Sequence, residues 1–155
     1  MAAPGWRVGD AGGVMRRRSS DEALLALARL VMDVSVRAAA DLGGLSPVQL
    51  RALTVLRSSS GANLAALAEA MGVTVSTASR LVDRLVAAGW VQREPAPHTR
   101  REVSLRLTDD GAALLGRYDE QRLVGLRTCL DQVPPEQRDA VVDALGQLAA
   151  TSPDS

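Results

Sequence analysis

A predicted amphipathic helix between Thr74 and Ala88 carries polar side chains that can bind nucleic acid. Its outward face holds Ser76, Thr77, Ser79, Arg80, Asp83 and Arg84. Short hydroxyl side chains can contact phosphates or base edges, and an arginine can donate two hydrogen bonds to one guanine. Asp83 could pair with Arg80 or Arg84. A polar outer face is also typical of any solvated amphipathic helix, so the helix alone leaves both interpretations open.

The opposite face of this helix is apolar and predicts where it packs. The buried stripe would consist of Val75, Ala78, Leu81, Val82, Leu85 and Val86.

A second basic group follows in a predicted β-hairpin. Residues 90–93 are extended, and the segment Pro95-Ala96-Pro97 cannot continue a helix. Residues 102–107 then alternate, which predicts a half-buried strand with one face made of Val103, Leu105 and Leu107 and the other of Ser104 and Arg106. Arginines at a hairpin tip can contact phosphates or enter the minor groove. The candidates here are Thr99, Arg100, Arg101 and Arg106, whereas His98 is more simply an exposed loop residue.

Capped helices surround these two elements. We expect helices over residues 21–41 with Ser20 as N-cap, from Pro47 with Ser46 as N-cap, after Asn63, after Thr74, from Thr108 to about residue 132, and from Pro134 onward. Gly72 supplies the turn between the third and fourth helices. The predicted fold class is mostly α with a small β-hairpin wing, a winged helix-turn-helix with a helical dimerisation region of about six helices.

Composition limits the possible classes of function. The 155 residues predict one domain with an aliphatic core, since 46% are apolar and none is Phe. One Cys and one His exclude an intrachain disulfide and make a metal cluster implausible, so we expect no metal and no cofactor. The sequence contains no cluster of nucleophile, base and carboxylate that would indicate an enzyme. No apolar run approaches the roughly 20 residues that span a bilayer, and residues 1–20 lack a signal-peptide core, so we expect a cytoplasmic protein.

Charge is distributed unevenly along a chain whose net charge is zero. Between Thr74 and Arg106 six arginines face three acidic residues, whereas four arginines face nine acidic residues from Leu107 onward. A DNA-binding surface requires local rather than global positive charge. The Gly-rich residues 1–20, with their run Arg16-Arg17-Arg18, are expected to form a mobile arm, and residues 151–155 a frayed tail.

Two stretches resemble the MarR family of bacterial transcription regulators. They are LAEAMGVTVSTASRLVDRLVAAGWVQREP and RREVSLRLTDDGAALL, in which Leu107-Thr108-x-x-Gly111 is similar to the family's entry to its long dimerisation helix. The resemblance covers about residues 21–150. It implies a single domain with a winged DNA-binding lobe at about 46–107 and dimerisation helices at 21–41 and 108–150. One departure is Thr99, which stands where the family's wing usually carries an Asp that steadies the following arginine, here Arg101.

The resemblance implies a sequence-specific DNA-binding transcription regulator. It would be a homodimeric repressor on a pseudo-palindromic operator of double-stranded DNA, with a possible small-molecule effector bound between its two regions. The apolar faces of the first, fifth and sixth predicted helices independently favour a partner. Two alternatives remain: a winged-helix protein-interaction module without DNA binding, and a redox-sensing regulator that uses Cys129, for which a buried structural cysteine is the simpler interpretation.

Overall fold

The part of the chain that the structure describes consists of six helices and one antiparallel hairpin. In the computed structural model, the backbone is described for residues 11–59, 61–96 and 99–151, and side chains for residues 19–59, 61–95 and 103–151. The elements, in chain order, are α1 Ala11–Asp41, α2 Pro47–Ser58, α3 Leu64–Met71, α4 Val75–Ala87, β1 Val91–Ala96, β2 Thr99–Leu107, α5 Asp109–Leu130 and α6 Pro135–Ala150. The predicted fold class is confirmed in its architecture, which is mostly α with six helices and a β-hairpin wing.

Four of the helices begin at the caps that the sequence predicts. Ser46 accepts from the Gln49 amide while the Gln49 side chain accepts from the Ser46 amide, which completes a capping box. Asn63, Thr74 and Thr108 each accept a hydrogen bond from the third residue of the following helix. Because a cap satisfies amides that have no partner within the helix, these side chains define where each helix starts.

The core lies between the C-terminal end of α1, the helices α2, α3 and α4, the hairpin and the first half of α5. It is aliphatic, and its fully buried larger side chains are Leu53, Leu56, Leu67, Leu85, Leu105, Leu115, Val82 and Val91. Trp90 and Tyr118 lie at its margin and are partly buried against it. The core therefore holds the helix-turn-helix, the hairpin and the start of α5 as one packed unit.

The first helix is longer than predicted. It begins at Ala11, so Ser20 lies inside the helix rather than at its N-cap, and the predicted mobile arm is helical from residue 11. Extending an existing helix by one residue costs little once it is nucleated, and the sequence between Met15 and Glu22 contains no proline. Residues 1–10 of the predicted arm, and residues 152–155 of the predicted tail, lie outside the described residues.

Two details of the predicted burial patterns are wrong. Val75 is 52% exposed, because it occupies the first position of α4 beyond the reach of the core. In β2, Ser104 is buried and Val103 is exposed. The reason is a third chain segment, since Asn63 forms a bridge with Ser104, and the Leu105 amide donates to the Ala62 carbonyl at 2.9 Å.

Candidate nucleic-acid interface

A tight turn presents α4 at the surface of the molecule. Gly72 ends α3 in the left-handed conformation, with φ of 66°, which costs a glycine little. Its amide donates back to Ala68 and Glu69, and Thr74 then caps α4 two residues later. The buried side of α4 consists of Ala78, Leu81, Val82 and Leu85. The opposite side of α4 is therefore held outward by a rigid support.

The hydroxyl groups at the start of α4 bind one another. Thr74 Oγ1 lies 3.1 Å from Ser76 Oγ and 2.9 Å from Thr77 Oγ1, and it also accepts from the Thr77 amide at 3.3 Å. All three residues are exposed. Because each hydroxyl can both donate and accept, the cluster retains hydrogen-bonding capacity toward an external group. Ser79, one turn further, is only partly exposed.

Two arginines on α4 remain available to a ligand. Arg80 and Arg84 are exposed, and among the side chains that the structure describes neither has a carboxylate within ion-pair distance. Both line a shallow cavity of about 250 Å³ together with Thr77 and the apolar residues Val48, Met71, Val73 and Leu81. Guanidinium groups beside an apolar wall suit planar, polyanionic partners. This is the pattern expected of a surface that receives DNA.

Asp83 has a structural partner rather than a partner on its own helix. Its Oδ1 accepts from Arg93 Nη2 at 2.7 Å, which links α4 to β1. The predicted pairings of Asp83 with Arg80 or Arg84 are therefore wrong, because the hairpin brings an arginine closer. Arg93 is therefore paired with Asp83, while Arg80 and Arg84 remain available for other contacts.

Polar side chains on the two strands of the hairpin also bind one another. Arg106 Nε lies 3.1 Å from Glu94 Oε2, and Gln92 Nε2 donates to Glu94 Oε1 at 2.8 Å. Arg106 is thus half exposed but already paired, which lowers its value as a phosphate contact. The backbone of Thr99, Arg100 and Arg101 belongs to β2, but their side chains, like all of His98, lie outside the described part of the chain.

A close backbone contact joins the hairpin to the long helix. Thr108 donates from its hydroxyl to the Gly89 carbonyl at 2.6 Å and from its amide to the Trp90 carbonyl at 3.1 Å. Gly111 lies against the same peptide, so that a Cβ placed there would clash with the Trp90 carbonyl oxygen and come within 2.9 Å of its carbon. The motif Leu107-Thr108-x-x-Gly111 therefore fixes the hairpin on α5.

A larger cavity separates the winged lobe from the long helices. It has a volume of about 790 Å³, is mostly apolar, and is lined by α1, α2 and α5 with Leu148 of α6. Arg122 lies in its wall with its guanidinium carbon 5.4 Å from the centre of the Tyr118 ring, and its buried Nε has no hydrogen-bond partner among the described residues. The family resemblance implies an effector site between these two regions, but sequence reasoning did not identify Arg122 or Tyr118 as part of it, because the lining residues come from four helices that are distant in the sequence.

The Asp119 carboxylate connects this cavity to the winged lobe. Its Oδ2 accepts from Arg57 Nη1 of α2 at 2.7 Å, and its Oδ1 lies 3.9 Å from Arg122 Nη1. Cys129 is half buried in a separate groove of about 390 Å³ between α1 and α5, so it is less buried than the sequence suggests.

Large apolar side chains remain exposed on the helices outside the winged lobe. None of the residues of α6, all of which the structure describes, is buried. The exposed set on α1, α5 and α6 comprises Leu24, Leu25, Met32, Val36, Leu123, Val124, Val142, Leu145 and Leu148. Exposed apolar side chains in this number are typical of helices that a partner covers.

Other kinds of site are not evident in the described part of the chain. Within these ranges, no three His, Cys, Asp or Glu residues are close enough to hold a metal ion. Among the described helices, none combines the length and apolar character needed to cross a bilayer.

Comparisons with known proteins agree with this geometry. A model of the MarR family matches residues 43–102. The chain is 29% identical to YfiV of Bacillus subtilis, described as an uncharacterised HTH-type transcriptional regulator, over 68% of this chain and 66% of YfiV. It is 33% identical to the HTH-type transcriptional regulator PecS of Dickeya dadantii, over 53% of this chain and 49% of PecS. The alignments thus span half to two thirds of these curated relatives.

A solved structure extends the similarity to nearly the whole chain. RV1404 from Mycobacterium tuberculosis superposes with a TM-score of 0.77 at 29% identity, covering 97% of this chain and 99% of RV1404. The agreement includes the helices that flank the winged lobe, because so high a coverage leaves no element outside the superposition.

Proposed function

We propose that the chain is a MarR-type regulator of transcription that binds a specific DNA sequence, and not an enzyme, since a model of that family matches residues 43–102 and the similar proteins are described as transcription regulators. The observation that carries this proposal is the outer face of α4, where Arg80 and Arg84 are exposed without an ion-pair partner among the described side chains. Ser76, Thr77 and Ser79 extend this face toward the start of the helix. In a helix-turn-helix, such a face enters the major groove.

The wing would anchor the complex on the DNA backbone. Arg100 and Arg101 follow Thr99 at the start of β2, beside the turn of the hairpin, and Arg106 lies further along the same strand. Since Arg106 is paired with Glu94, we assign the stronger share of anchoring to Arg100 and Arg101. Phosphate contacts of this kind set the position of the protein without reading the sequence.

The functional unit is proposed to be a homodimer that acts as a repressor. Two copies joined through α1, α5 and α6 would cover the exposed apolar surface and carry two α4 helices. A two-fold arrangement places such helices in successive major grooves, about 34 Å apart, on a pseudo-palindromic operator. Occupation of an operator that overlaps a promoter would exclude the polymerase.

Selection from a pool of random-sequence duplexes tests this function. The retained duplexes are expected to share an inverted repeat whose half-sites are separated by about one helical turn. If no duplex is retained at any salt concentration, the proposal fails. The result would then favour a winged-helix module that binds another protein, which the zero net charge and Thr99 in the wing would suit.

Arg80→Ala is expected to relax sequence preference. Loss of a bidentate contact to guanine costs about 1–3 kcal/mol of discrimination, roughly a 5- to 150-fold smaller ratio between the selected operator and a scrambled duplex. Fluorescence anisotropy titrations of both duplexes at several salt concentrations measure this ratio. Arg127→Ala is the control and should leave the ratio unchanged. It removes the same charge from a site on α5, about 27 Å along that helix from its first residue. An unaltered ratio in Arg80→Ala would contradict the assignment.

The large cavity is proposed to bind a small effector with an apolar body and a negative charge. Its apolar lining would hold the body, and Arg122 Nε supplies a buried donor that lacks a partner among the described residues. A charge-assisted hydrogen bond to an anion would satisfy that donor. Such a ligand would compete with Asp119 for Arg122 and so affect the ion pair between Asp119 and Arg57 of the winged lobe.

Arg122→Gln is expected to abolish selectivity for the charged effector. Benzoate and benzamide serve as probes of equal shape, and thermal shift titrations compare them. Wild-type protein should be stabilised more by benzoate than by benzamide, since a hydrogen bond to a charged group contributes about 1.5–3 kcal/mol. Arg122→Gln should respond equally to both. Equal responses in the wild-type protein would exclude Arg122 as the anchor.

A further inference from the structure

One apolar side chain lies on the surface that the proposed function assigns to DNA. Val75 is the first residue of α4 and is 52% exposed. It contributes little to the core, whose α4 members start at Ala78. A β-branched residue is also a poor choice for helix stability, so neither packing nor propensity accounts for it.

The neighbours of Val75 are polar but engaged with one another. Thr74, Ser76 and Thr77 form the hydroxyl cluster around Thr74 Oγ1, with oxygen separations of 2.9 and 3.1 Å. Val75 lies among these residues in the sequence, and its side chain cannot form hydrogen bonds. The first turn of α4 thus combines a bound set of hydroxyls with a free isopropyl group.

The position of Val75 determines what that group can meet. The N-terminal residues of a recognition helix are those that contact base edges in the major groove. The apolar feature of that groove is the C5 methyl group of thymine, which cytosine lacks. An exposed valine at this point is complementary to that methyl group, which is the largest apolar group on the base edges of the major groove.

We propose that Val75 is a specificity-determining residue that recognises a thymine methyl group in each half-site of the operator. This inference rests on the proposed DNA-binding function and adds a base preference to it. Ser79, which lies one turn from Val75 on the same side of α4, and Arg80 would read the adjacent bases by hydrogen bonds. The same contact would accept the methyl group of 5-methylcytosine, since it occupies the same place in the groove.

Deoxyuridine substitution isolates the methyl group, because deoxyuridine pairs as thymine does but has hydrogen at C5. Each thymine of the selected operator is replaced in turn, and the Kd is measured by fluorescence anisotropy. One thymine in each half-site should show a Kd increase of about fourfold, which corresponds to about 0.8 kcal/mol for one buried methyl group. Replacement in both half-sites should give about 15-fold.

Val75→Ala should reduce the ratio between the thymine and deoxyuridine duplexes from fourfold to less than about twofold, because the shorter side chain reaches the methyl group less closely, while its fold is retained because alanine favours helix more than valine does. Val103→Ala is the matched control, since Val103 is 48% exposed but lies on the wing, and the minor groove displays no thymine methyl. This variant should keep the fourfold ratio whatever its overall affinity.

A comparison of cytosine with 5-methylcytosine at the sensitive position tests the wild-type protein without any variant. The methylated duplex should bind about fourfold more tightly. The inference is overturned if no thymine is sensitive, if the ratio persists in Val75→Ala, or if methylation of cytosine has no effect. Binding to the selected operator with equal affinity for deoxyuridine would overturn this inference alone, whereas the absence of any DNA binding would overturn the proposed function as well.

Discussion

Leu145→Glu is expected to convert the protein to a monomer and to weaken operator binding by about 100-fold or more. Leu145 is 42% exposed on α6, a helix with no buried residue, so its apolar face has no other cover in the protomer. A charge buried at the proposed interface would cost more than the contact it replaces. A monomer engages one half-site only and loses the gain from linked binding, which is commonly 10²–10⁴.

Light scattering measures the mass of this variant, and anisotropy its affinity for the selected operator. Gln147→Glu is the control, because it adds the same charge to the opposite, polar side of the same helix. It should remain dimeric and bind normally. Far-ultraviolet circular dichroism confirms that both variants are helical. A dimeric Leu145→Glu with unchanged affinity would contradict the assignment of α6 to the interface.

Gly111→Ala is expected to lower the free energy of unfolding by about 1–3 kcal/mol or more, as overpacking does in a rigid site. The added Cβ would clash with the carbonyl oxygen of Trp90, and backbone on both sides cannot move aside cheaply. The higher helix propensity of alanine, about 1 kcal/mol, offsets only part of this loss. Urea denaturation followed by circular dichroism gives the change.

Gly116→Ala provides a matched control in the same helix. Gly116 is exposed, and nothing lies within 4 Å of the Cβ that alanine would add. This variant should be neutral or more stable by up to about 1 kcal/mol. If the two variants had equal stability, the contact between Gly111 and the Trp90 peptide could not be what holds the hairpin on α5.

Local features of the fold were predictable because they depend on neighbouring residues. Ser46, Asn63, Thr74 and Thr108 cap helices within three residues, so the sequence places those four helix starts correctly. The helix from Ala11 shows the limit of this approach. Ser20 is a good cap, but a cap residue does not prevent a helix from continuing past it.

Features that depend on distant segments were predicted poorly. The alternation in β2 indicated that Ser104 faces water, yet the segment at Asn63 bridges to it and covers it. The helical spacing allows Asp83 to pair with Arg80 or Arg84, but Arg93 of the hairpin reaches it at 2.7 Å. The cavity around Arg122 joins residues of α1, α2, α5 and α6, and no sequence spacing reports such a meeting.

The proposed function depends on recognition of a DNA sequence by the outer face of α4. The most direct test is the ratio of the Kd for a scrambled duplex to the Kd for the selected operator, measured by anisotropy at about 0.15 M salt. For the wild-type protein we expect a ratio of about 10³ or more. A ratio near one, or failure to bind either duplex, would contradict it.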